Sequence, residues 1–264
     1  EQWHAFLKTG LNGYKKGRNI PSKAYVSKLS AYIRFGQISI RQLYADAIMY
    51  GSGKDRDHFL SELGWREFSY YLLHHNPQMA TQNIQTRFDQ YPWTFHPDHF
   101  RAWCKGETGY PIVDAGMRQL YQTGYMHNRL RMICASFLVK NCNIHWRYGE
   151  AWFWNCLFDA DPANNPAGWQ WVAGCGADAA QYCRIFNPMF QSAKWDSEGR
   201  FIKEFLPELD PLPNIYLHEP WKTPPDMLSK TSLKWGIHYP SPILDFHATR
   251  DTTIHYFETL RSKQ

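Results

Sequence analysis

The sequence predicts an all-α fold, and three observations support this. Apolar residues recur every three or four positions in several segments of the 264-residue chain, which is the period of a helix that buries one face. Alternation of apolar and polar residues, the pattern of a half-buried strand, is nearly absent. Hydrophobic residues are 44% and charged residues 20% of the chain, so a core can form and the composition is not that of a disordered protein.

The first half of the chain predicts two long helices and, between them, the start of another. Residues 2–17 carry apolar side chains at helical spacing, and residues 18–25 form a polar loop. Residues 27–30 then place two serines and a lysine before an apolar run. This pattern starts a helix, and its free backbone amides suit a phosphate, although serine caps without any ligand are more frequent. The next helix spans residues 56–75, and residues 77–97 predict a loop.

The second half predicts four more helices. Pro111 lies in the first turn of a helix that ends near Gly124, and helices follow over residues 125–141 and 146–158. Residues 192–242 are rich in loops and prolines, and a last helix covers about 245–261. No repeat, low-complexity tract or linker divides the chain. We therefore expect a single domain over residues 1–264.

Two helix faces carry mixed chemistry. Glu62, Trp65 and Arg66 lie at i, i+3 and i+4, and the plainest interpretation is a surface Glu62–Arg66 ion pair beside a core tryptophan. Asn128, Arg131 and Met132 share a second face with the same spacing. An amide, a guanidinium and a thioether beside an aromatic cluster suit a flat polar ligand.

The stretch from Asp159 to Trp171, DADPANNPAGWQW, combines two acids, two adjacent amides and two tryptophans. Core packing alone has little use for that mixture, so the stretch indicates a functional site. The alternative is a buried helix start at which aspartate and asparagine act as caps.

Composition limits the possible partners. Aromatic residues are 17% of the chain, including 12 Trp, which is typical of proteins that hold flat ligands or stack on bases, although most of these rings serve the core. The net charge of +5 is compatible with a polyanion partner but does not establish one. The six cysteines form no CxxC motif, so we expect reduced core thiols in a cytosolic protein, with no metal site or iron–sulfur cluster. No apolar run reaches transmembrane length.

Six motifs occur in one order: KLSAYIRFG, ELGWREF, TGYPIVDAGMRQL, MHNRLRM, NNPAGWQW and YCRIFNP. In these motifs the chain resembles the C-terminal, flavin-binding half of the DNA photolyase/cryptochrome family, and most closely its class I cyclobutane pyrimidine dimer photolyases. The resemblance covers residues 14–221 and the last helix. It implies a helical FAD-binding domain without the family's N-terminal α/β antenna domain, so we expect either a truncated form or a naturally short one. An antenna chromophore would require that missing domain.

The resemblance also implies which residues bind FAD. Asp159 would pair with Arg131 beside the flavin, and Asn165 would face flavin N5, the atom whose protonation controls which radical state persists. An amide there, instead of the acid or cysteine of many cryptochromes, favours an enzyme that uses fully reduced flavin. The implied FAD-binding residues are Tyr14, Val26, Ser27, Lys28, Leu29, Ser30, Arg66, Asn128, Arg131, Asp159, Ala160, Asp161 and Asn165. Val26 lacks the hydroxyl usual in the family, and Lys28 replaces the commoner arginine.

Three tryptophans, Trp93, Trp146 and Trp169, match the family's electron-transfer chain from the surface to the flavin. This chain photoreduces the flavin and is separate from repair. Core packing is the alternative for each ring taken alone.

Another set matches the substrate side of the cyclobutane pyrimidine dimer enzymes. Trp65 and Trp171 would form aromatic walls for two flipped-out pyrimidines, and Glu62 would hydrogen-bond the dimer. The implied substrate- and DNA-binding residues are Arg18, Glu62, Trp65, Asn128, Arg129, Met132, Trp171, Arg184 and Gln191.

Together the motifs predict light-driven repair of cyclobutane pyrimidine dimers by electron transfer from excited, reduced FAD. Glu62, Asn165 and the three tryptophans would be the catalytic set. The alternatives are a cryptochrome-type blue-light photoreceptor and a DNA-binding module without active flavin. We expect a monomer in a bacterial-type cytoplasm, with damaged DNA as its partner and no membrane contact.

Overall fold

A computed structural model describes residues 1–177 and 183–262 of the chain. Within these ranges the fold is helical and contains no strand, only an isolated bridge between Trp235 and Tyr239. The all-α prediction is therefore confirmed. The helices are α1 (Gln2–Thr9), α2 (Tyr14–Gly17), α3 (Ser30–Arg34), α4 (Ile40–Tyr50), α5 (Gly53–His75), α6 (Pro97–Lys105), α7 (Pro111–Thr123), α8 (Asn128–Ser136), α9 (Trp146–Cys156), α10 (Asn164–Ala173), α11 (Pro188–Trp195), α12 (Arg200–Phe205), α13 (Asn214–Leu217), α14 (Pro225–Leu228) and α15 (Phe246–Ser262).

The buried apolar side chains form two separate cores. The small core is built by the N-terminal helices and consists of Trp3, Phe6, Leu11, Tyr14, Leu29, Leu43, Ala47, Phe59 and Leu63. The large core runs from Phe88 to Leu260 and includes the inner faces of α6 to α10, α12 and α15. A polar cavity lies between these two cores.

Helix α5 joins the two halves of the molecule. Its 23 residues contact α2 and α4 on one side and α10 on the other. Phe59 lies in the small core, where its ring stacks on Trp3 with centroids 5.6 Å apart. Further along, Glu62, Trp65 and Arg66 line a cavity beside α10. One helix thus supplies both a core face and a site face.

The predicted single helix over residues 2–17 is wrong, because it is interrupted between Thr9 and Tyr14. Gly13 adopts the left-handed conformation, with φ of +90°, which favours glycine. The carboxylate of Asp55 accepts hydrogen bonds from the amides of Gly13 and Lys15, at 3.0 and 2.8 Å. A capping group 40 residues away in sequence therefore starts a new helix there.

Two further predictions need correction at helix ends. The helix expected at 125–141 begins only at Asn128, because Nδ1 of His127 caps it by accepting from the amide of Arg129 at 3.2 Å. It then continues as a π-helical turn over Phe137–Asn141. The helix expected to end at Phe158 ends at Cys156.

The remaining predictions differ in outcome. Helix α7 and the last helix are confirmed, and the helix expected at 56–75 begins slightly earlier, at Gly53. The sequence reading missed α4 and α6. Residues 192–242 are loop-rich as predicted but contain short helices. All six cysteines are free, although Cys156 and Cys183 are only partly buried. Among the described residues, no helix combines the length and apolar character needed to cross a bilayer.

Candidate functional site

A cavity of about 970 Å³ lies between the two cores, with walls from α5, α8, α10 and the segment before α10. It brings together most of the residues singled out by the sequence, namely Arg18, Ser30, Glu62, Trp65, Arg66, Asn128, Arg129, Arg131, Met132, Asp159, Ala160, Asp161, Asn165, Trp169, Trp171 and Arg184. Other candidates lie outside its walls: Tyr14, Val26, Ser27, Lys28, Leu29, Trp93, Trp146 and Gln191.

Asp161 is the most heavily bonded group of the cavity. Its Oδ2 accepts from Nη2 of Arg66 at 2.8 Å and from the hydroxyl of Tyr70 at 2.7 Å. Its Oδ1 accepts from the amides of Ala163 and Asn164, at 3.0 and 2.8 Å. Burial acts to raise the pKa of Asp161, but these hydrogen bonds and the Arg66 charge outweigh it and lower the pKa. Asp161 therefore caps α10, as the plainer interpretation proposed, and also joins α10 to α5.

Asp159 pairs with Arg131, as predicted. Nη2 of Arg131 lies 3.0 and 2.8 Å from the two carboxylate oxygens, and its Nε donates to the carbonyl of Met126 at 2.8 Å. Asp159 is nearly fully buried. The inner wall of the cavity thus carries a buried carboxylate whose negative charge is balanced by the guanidinium of Arg131.

The predicted surface pair between Glu62 and Arg66 is wrong. Oε2 of Glu62 instead accepts from Nη2 of Arg18 at 2.6 Å, and its Oε1 lies 3.7 Å from Nε2 of His58. Arg66 reaches the more deeply buried Asp161. Burial, followed by the Arg18 charge, lowers the pKa of His58, so a neutral imidazole accompanies this ion pair near neutral pH.

The outer part of the cavity is aromatic and cationic. Trp65 is 53% exposed, so it is not the core tryptophan that the plainer interpretation assumed. The guanidinium of Arg184 lies 5.0 Å from the ring centroid of Trp171, and that of Arg129 lies 4.8 Å from the ring of Trp195. An exposed indole, together with partly exposed indoles beside guanidinium groups, is suited to flat bases and to phosphates.

Gln191 joins this outer part indirectly. Its Oε1 accepts from Nε1 of Trp195 at 2.9 Å, on the ring that Arg129 covers. Arg129 also donates to Oδ1 of Asn19, across from the small core. Asn19 and Trp195 are therefore additional members of the outer site that sequence reasoning missed.

His127 is a third residue to which the sequence analysis gave no role. Burial first, and then nearby arginines, lower its pKa to about 3, so the ring is neutral. Its Nδ1 accepts from a backbone amide, which leaves a proton on Nε2. That Nε2 is buried and has no hydrogen-bond partner among the described residues. The charges of Arg18, Arg129, Arg131 and Lys28 all act on it.

The buried His127 and the four cations that act on it show whether a dinucleotide cofactor fits the chain. A buried donor without an acceptor is costly, and one surrounded by four cations fits a phosphate oxygen. Lys28, in the loop predicted to hold phosphate, adopts a left-handed φ of +53°, a strained conformation for a residue other than glycine. Nε of Arg66 is likewise buried and unpartnered among the described residues, at the wall of the main cavity.

The three predicted electron-transfer tryptophans differ in burial. Trp146 and Trp169 are buried in the large core, and Trp93 is partly buried against it. His145 lies between Trp93 and Trp146, with ring centroids 5.2 and 5.6 Å from theirs. Trp169 packs so closely on Gly149 that a Cβ there would lie 2.1 Å from its ring. The Trp169 ring is thus tightly packed, and it also reaches the cavity wall.

Asn165 lines the cavity, and its side chain is anchored to α9. Its Nδ2 donates to the carbonyl oxygen of Glu150 at 3.1 Å and to Oε1 of Glu150 at 2.9 Å. Glu150 lies 15 positions earlier in sequence, and no local pattern marked it. It is the fourth functional candidate that only the structure reveals.

A helical fold around a polar cavity with an aromatic outer part defines a cofactor-binding domain, and residues 59–259 match the family model described as the FAD binding domain of DNA photolyase. The chain belongs to the DNA photolyase/cryptochrome family.

Among curated proteins, the chain is 45% identical to the deoxyribodipyrimidine photo-lyase of Agrobacterium fabrum, over 94% of this chain and 53% of that protein. It is 38% identical to Cryptochrome-2 of Arabidopsis thaliana, over 93% of this chain and 42% of that protein. The crystal structure of a class III photolyase from Agrobacterium tumefaciens superposes with a TM-score of 0.95 at 43% identity, covering 99% of this chain and 55% of that one. The chain spans about half the length of the photo-lyases that it matches.

The family membership and the cavity together show an FAD-binding domain. The orphaned donors of His127 and Arg66, the cationic cluster and the cavity volume all fit that cofactor.

Proposed function

We propose that this chain is the catalytic domain of a light-driven enzyme that repairs cyclobutane pyrimidine dimers in DNA. The observation that carries the proposal is the division of one cavity into two chemical environments. Its inner wall holds the carboxylates of Asp159 and Asp161, each of which is paired with an arginine. Its outer wall holds the exposed Trp65 and the Arg184–Trp171 stack. Such a cavity suits a polar cofactor inside and a flat lesion outside.

The residues around the inner wall would hold the cofactor. Lys28 and His127 would receive its phosphates, while Asp161, Arg66 and the Arg131–Asp159 pair would surround its sugar and ring. The further members of this set are Tyr14, Val26, Ser27, Leu29, Ser30, Asn128, Ala160 and Asn165. FAD, when bound and reduced, supplies the light-excited electron transfer that opens the cyclobutane ring.

The residues around the outer wall would hold the lesion. A dimer stacks poorly in the duplex, so extruding it is cheaper than extruding an intact base pair. Trp65 and Trp171 would contact its faces, with Met132 beside them. Glu62, held in place by Arg18, would accept a hydrogen bond from a pyrimidine imide. The apolar walls would exclude water while these polar groups orient the dimer.

DNA outside the lesion would be held by positive charge. Arg18, Arg129 and Arg184 line the outer cavity, and Gln191 reaches the same region through Trp195. Contacts with phosphates release counterions, so affinity should fall steeply with added salt. Trp93, Trp146 and Trp169 would restore the reduced cofactor from the surface and take no part in repair itself. A monomer in the cytoplasm with access to DNA stays a prediction.

The deciding experiment is an anaerobic repair assay. Chemically reduced, FAD-loaded protein is illuminated with a thymine-dimer oligonucleotide, and the return of thymine absorbance is followed against a dark control. Light-dependent recovery supports the proposal. Cryptochromes are also relatives of this chain, so absence of recovery with bound, reduced FAD would favour a photoreceptor. A colourless protein that binds DNA would favour a module without active flavin.

Trp171→Ala tests the lesion pocket. Loss of one stacking wall should weaken binding of damaged DNA by about 1–3 kcal/mol and leave binding of intact DNA unchanged. Fluorescence anisotropy with both oligonucleotides measures the difference. Trp169→Phe is the matched control, because it should block photoreduction but spare repair by pre-reduced protein. Unchanged discrimination in Trp171→Ala would remove Trp171 from the pocket.

A further inference from the structure

A second cavity, of about 1090 Å³, lies beside α9 and shares no wall residue with the main cavity. Helix α9 supplies one wall, with residues between Arg147 and Asn155, and the segment before α6 supplies another, from Trp93 to Phe95. The volume is sufficient for a nucleotide-sized molecule. The proposed cofactor and lesion both occupy the main cavity, so the second cavity is open to a different ligand.

The walls of the second cavity carry exposed aromatic rings. Phe95 and Tyr148 stack with ring centroids 4.5 Å apart, and both are exposed, as is Trp154. Exposed rings that line one concave surface are suited to a flat ligand, because such rings prefer to stack. Trp93 lines the same cavity. A flat ligand here would therefore lie beside the tryptophan that is proposed as the surface end of the electron-transfer chain.

Two indole N–H groups of these walls lack acceptors. Nε1 of Trp93 and Nε1 of Trp152 are buried and have no hydrogen-bond partner among the described residues. An indole N–H can only donate, and a buried donor without an acceptor is unfavourable. A ligand that presents carbonyl or hydroxyl oxygens to these two rings would supply the acceptors. The cavity thus favours a flat ring that carries oxygen atoms.

Arg147 gives the second cavity a positive charge. It lies in the first turn of α9, is exposed, and forms no ion pair among the described residues. Burial first, and then the Arg147 charge, lower the pKa of His145 to about 4, so that ring is neutral near neutral pH. The Glu150 carboxylate is already engaged by Nδ2 of Asn165, at 2.9 Å. Arg147 is therefore available to an anionic group such as a phosphate.

We propose that the second cavity binds a dihydronicotinamide nucleotide, which returns an electron to Trp93. This class of molecule combines a flat ring, oxygen acceptors, a phosphate and the ability to donate electrons. The dihydropyridine ring would stack on the aromatic wall, and its carboxamide and ribose oxygens would accept from the two indoles. A phosphate would pair with Arg147.

The role of the nucleotide as a donor rests on the electron-transfer role proposed for Trp93. Trp93 loses an electron each time the chain reduces the cofactor. One electron from the nucleotide restores the neutral indole. The nucleotide becomes a radical cation, which releases one proton to water and leaves as a neutral radical.

Binding is tested first in the dark, by calorimetric titration of FAD-loaded protein with NADH. Arg147→Gln removes the charge and should weaken binding by about tenfold, as expected for one charge-assisted hydrogen bond. Trp152→Phe keeps a flat ring but lacks the N–H, and should weaken binding by a factor of about 2 to 10. Arg101→Gln is the matched control, because Arg101 is an exposed arginine of α6 that does not line the cavity and pairs with Asp98.

Absence of NADH binding to the parent protein overturns the proposal. Equal binding by the parent protein, Arg147→Gln and Trp152→Phe overturns it as well, because NADH would then lie elsewhere. Arg147 is exposed, so Arg147→Gln keeps the test valid if Trp152→Phe does not fold.

A light pulse then tests whether the bound nucleotide is the donor. Transient absorption follows the decay of oxidised Trp93 at increasing NADH concentration. A docked donor gives a decay rate that levels off once the site is filled, at concentrations set by the Kd measured in the dark. A rate that stays proportional to concentration well above that Kd indicates collision in solution and overturns the donor role.

Two further measurements separate this site from the proposals made above. Trp93→Phe should abolish NADH-dependent photoreduction, and photoreduction equal to that of the parent protein overturns the electron-transfer role of Trp93 and the donor role with it. Repair by chemically reduced protein needs no donor. Failure of the repair assay therefore overturns the proposed function and leaves dark binding and the decay of oxidised Trp93 as independent tests of this site.

Discussion

The small core and the large core treat polar groups differently. In the large core, buried charges are solvated by neutral groups: Nζ of Lys140 donates to the carbonyl of Ala173 at 2.6 Å and lies 3.8 Å from the Phe257 ring centroid. Between the cores, charges occur as ion pairs, such as Arg66 with Asp161. The small core contains no buried charge among its members. Among the described residues, the ion pairs with a nearly fully buried carboxylate therefore lie where a ligand is expected.

Polar contacts link the two sides of the boundary between the cores. Arg66 and Tyr70 of α5 bond Asp161 beside the large core. Arg34 of α3 donates to the carbonyl of Ala160 at 2.8 Å. A cavity occupies the space where apolar packing would otherwise continue. The boundary therefore depends on these polar side chains.

Asp161→Ala should have the largest effect on this boundary. It removes the acceptor shared by α5 and α10 and leaves Arg66 without its partner, which should lower the free energy of unfolding by about 3 kcal/mol. Urea denaturation of the flavin-free protein measures the change. Asp57→Ala is the matched control, because Asp57 is exposed and its pair with Arg56 should contribute less than about 1 kcal/mol. Equal effects in the two variants would mean that the boundary is not held by ion pairing.

The buried Lys140 should make the stability of the large core depend on pH. Burial lowers the pKa of Lys140 to about 8 in the folded protein, against 10.5 in the unfolded chain. Between these pH values the unfolded chain retains a proton that the folded protein has released, so the free energy of unfolding contributed by Lys140 rises with pH. The rise should reach about 2 kcal/mol by roughly pH 9.5.

Lys140→Met should lack this rise. The tyrosines and cysteines titrate in both proteins, so their contribution cancels when the two are compared. The measurement is therefore the difference in the free energy of unfolding between the parent protein and the variant, followed from pH 7.5 to 9.5. A difference that does not change with pH would show that Lys140 stays protonated through its carbonyl and ring contacts.

Gly149→Ala should strain the contact between α9 and α10. The added Cβ would lie 2.1 Å from the Trp169 ring and 2.7 Å from a Leu138 methyl group. Overpacking of this kind costs about 1–3 kcal/mol, which outweighs the helix preference of alanine. Gly168→Ala in α10 is the control, since nothing lies within 4 Å of its Cβ and it should be neutral or slightly stabilising. Thermal unfolding that ranks the two glycines equally would contradict this packing.

Asn19→Ala should have the smallest effect. It removes the acceptor of Arg129 near the boundary, but Arg129 keeps its contact with the Trp195 ring and lies partly at the surface. We expect a loss of less than about 1 kcal/mol in stability and an unchanged salt dependence of DNA binding, because the charge of Arg129 is retained. A loss as large as that of Asp161→Ala would place the main link between the cores at Asn19.

Sequence periodicity predicted the elements whose stability is local. Helix α7 was placed correctly because Pro111 lies at its first position and Gly124 adopts the left-handed conformation after its end. The break within residues 2–17 was missed because Asp55, distant in sequence, caps the second segment. Helices α4 and α6 were missed because neither was marked by a long apolar stripe.

At the site, one of two expected ion pairs is present. The Arg131–Asp159 pair followed from the family resemblance and is present. The Glu62–Arg66 pair followed from helical spacing and is absent, because Asp161 competes for Arg66 from another helix. His127, Asn19, Trp195 and Glu150 act through contacts between separate elements. Such contacts depend on how helices pack and leave no periodic signal in one sequence.

The division into two cores has a consequence for degradation. A ligand that fills the cavity contacts both walls, so it must leave before α1 to α5 can separate from the rest. At about 100 times its Kd, such a ligand adds roughly 2.7 kcal/mol against that opening. The loop between α2 and α3 carries Arg18, Lys23 and Lys28, each a cleavage site for trypsin-like proteases. Cofactor occupancy should therefore set the lifetime of this chain in the presence of proteases, and molecules that lose FAD should be cut first in this loop.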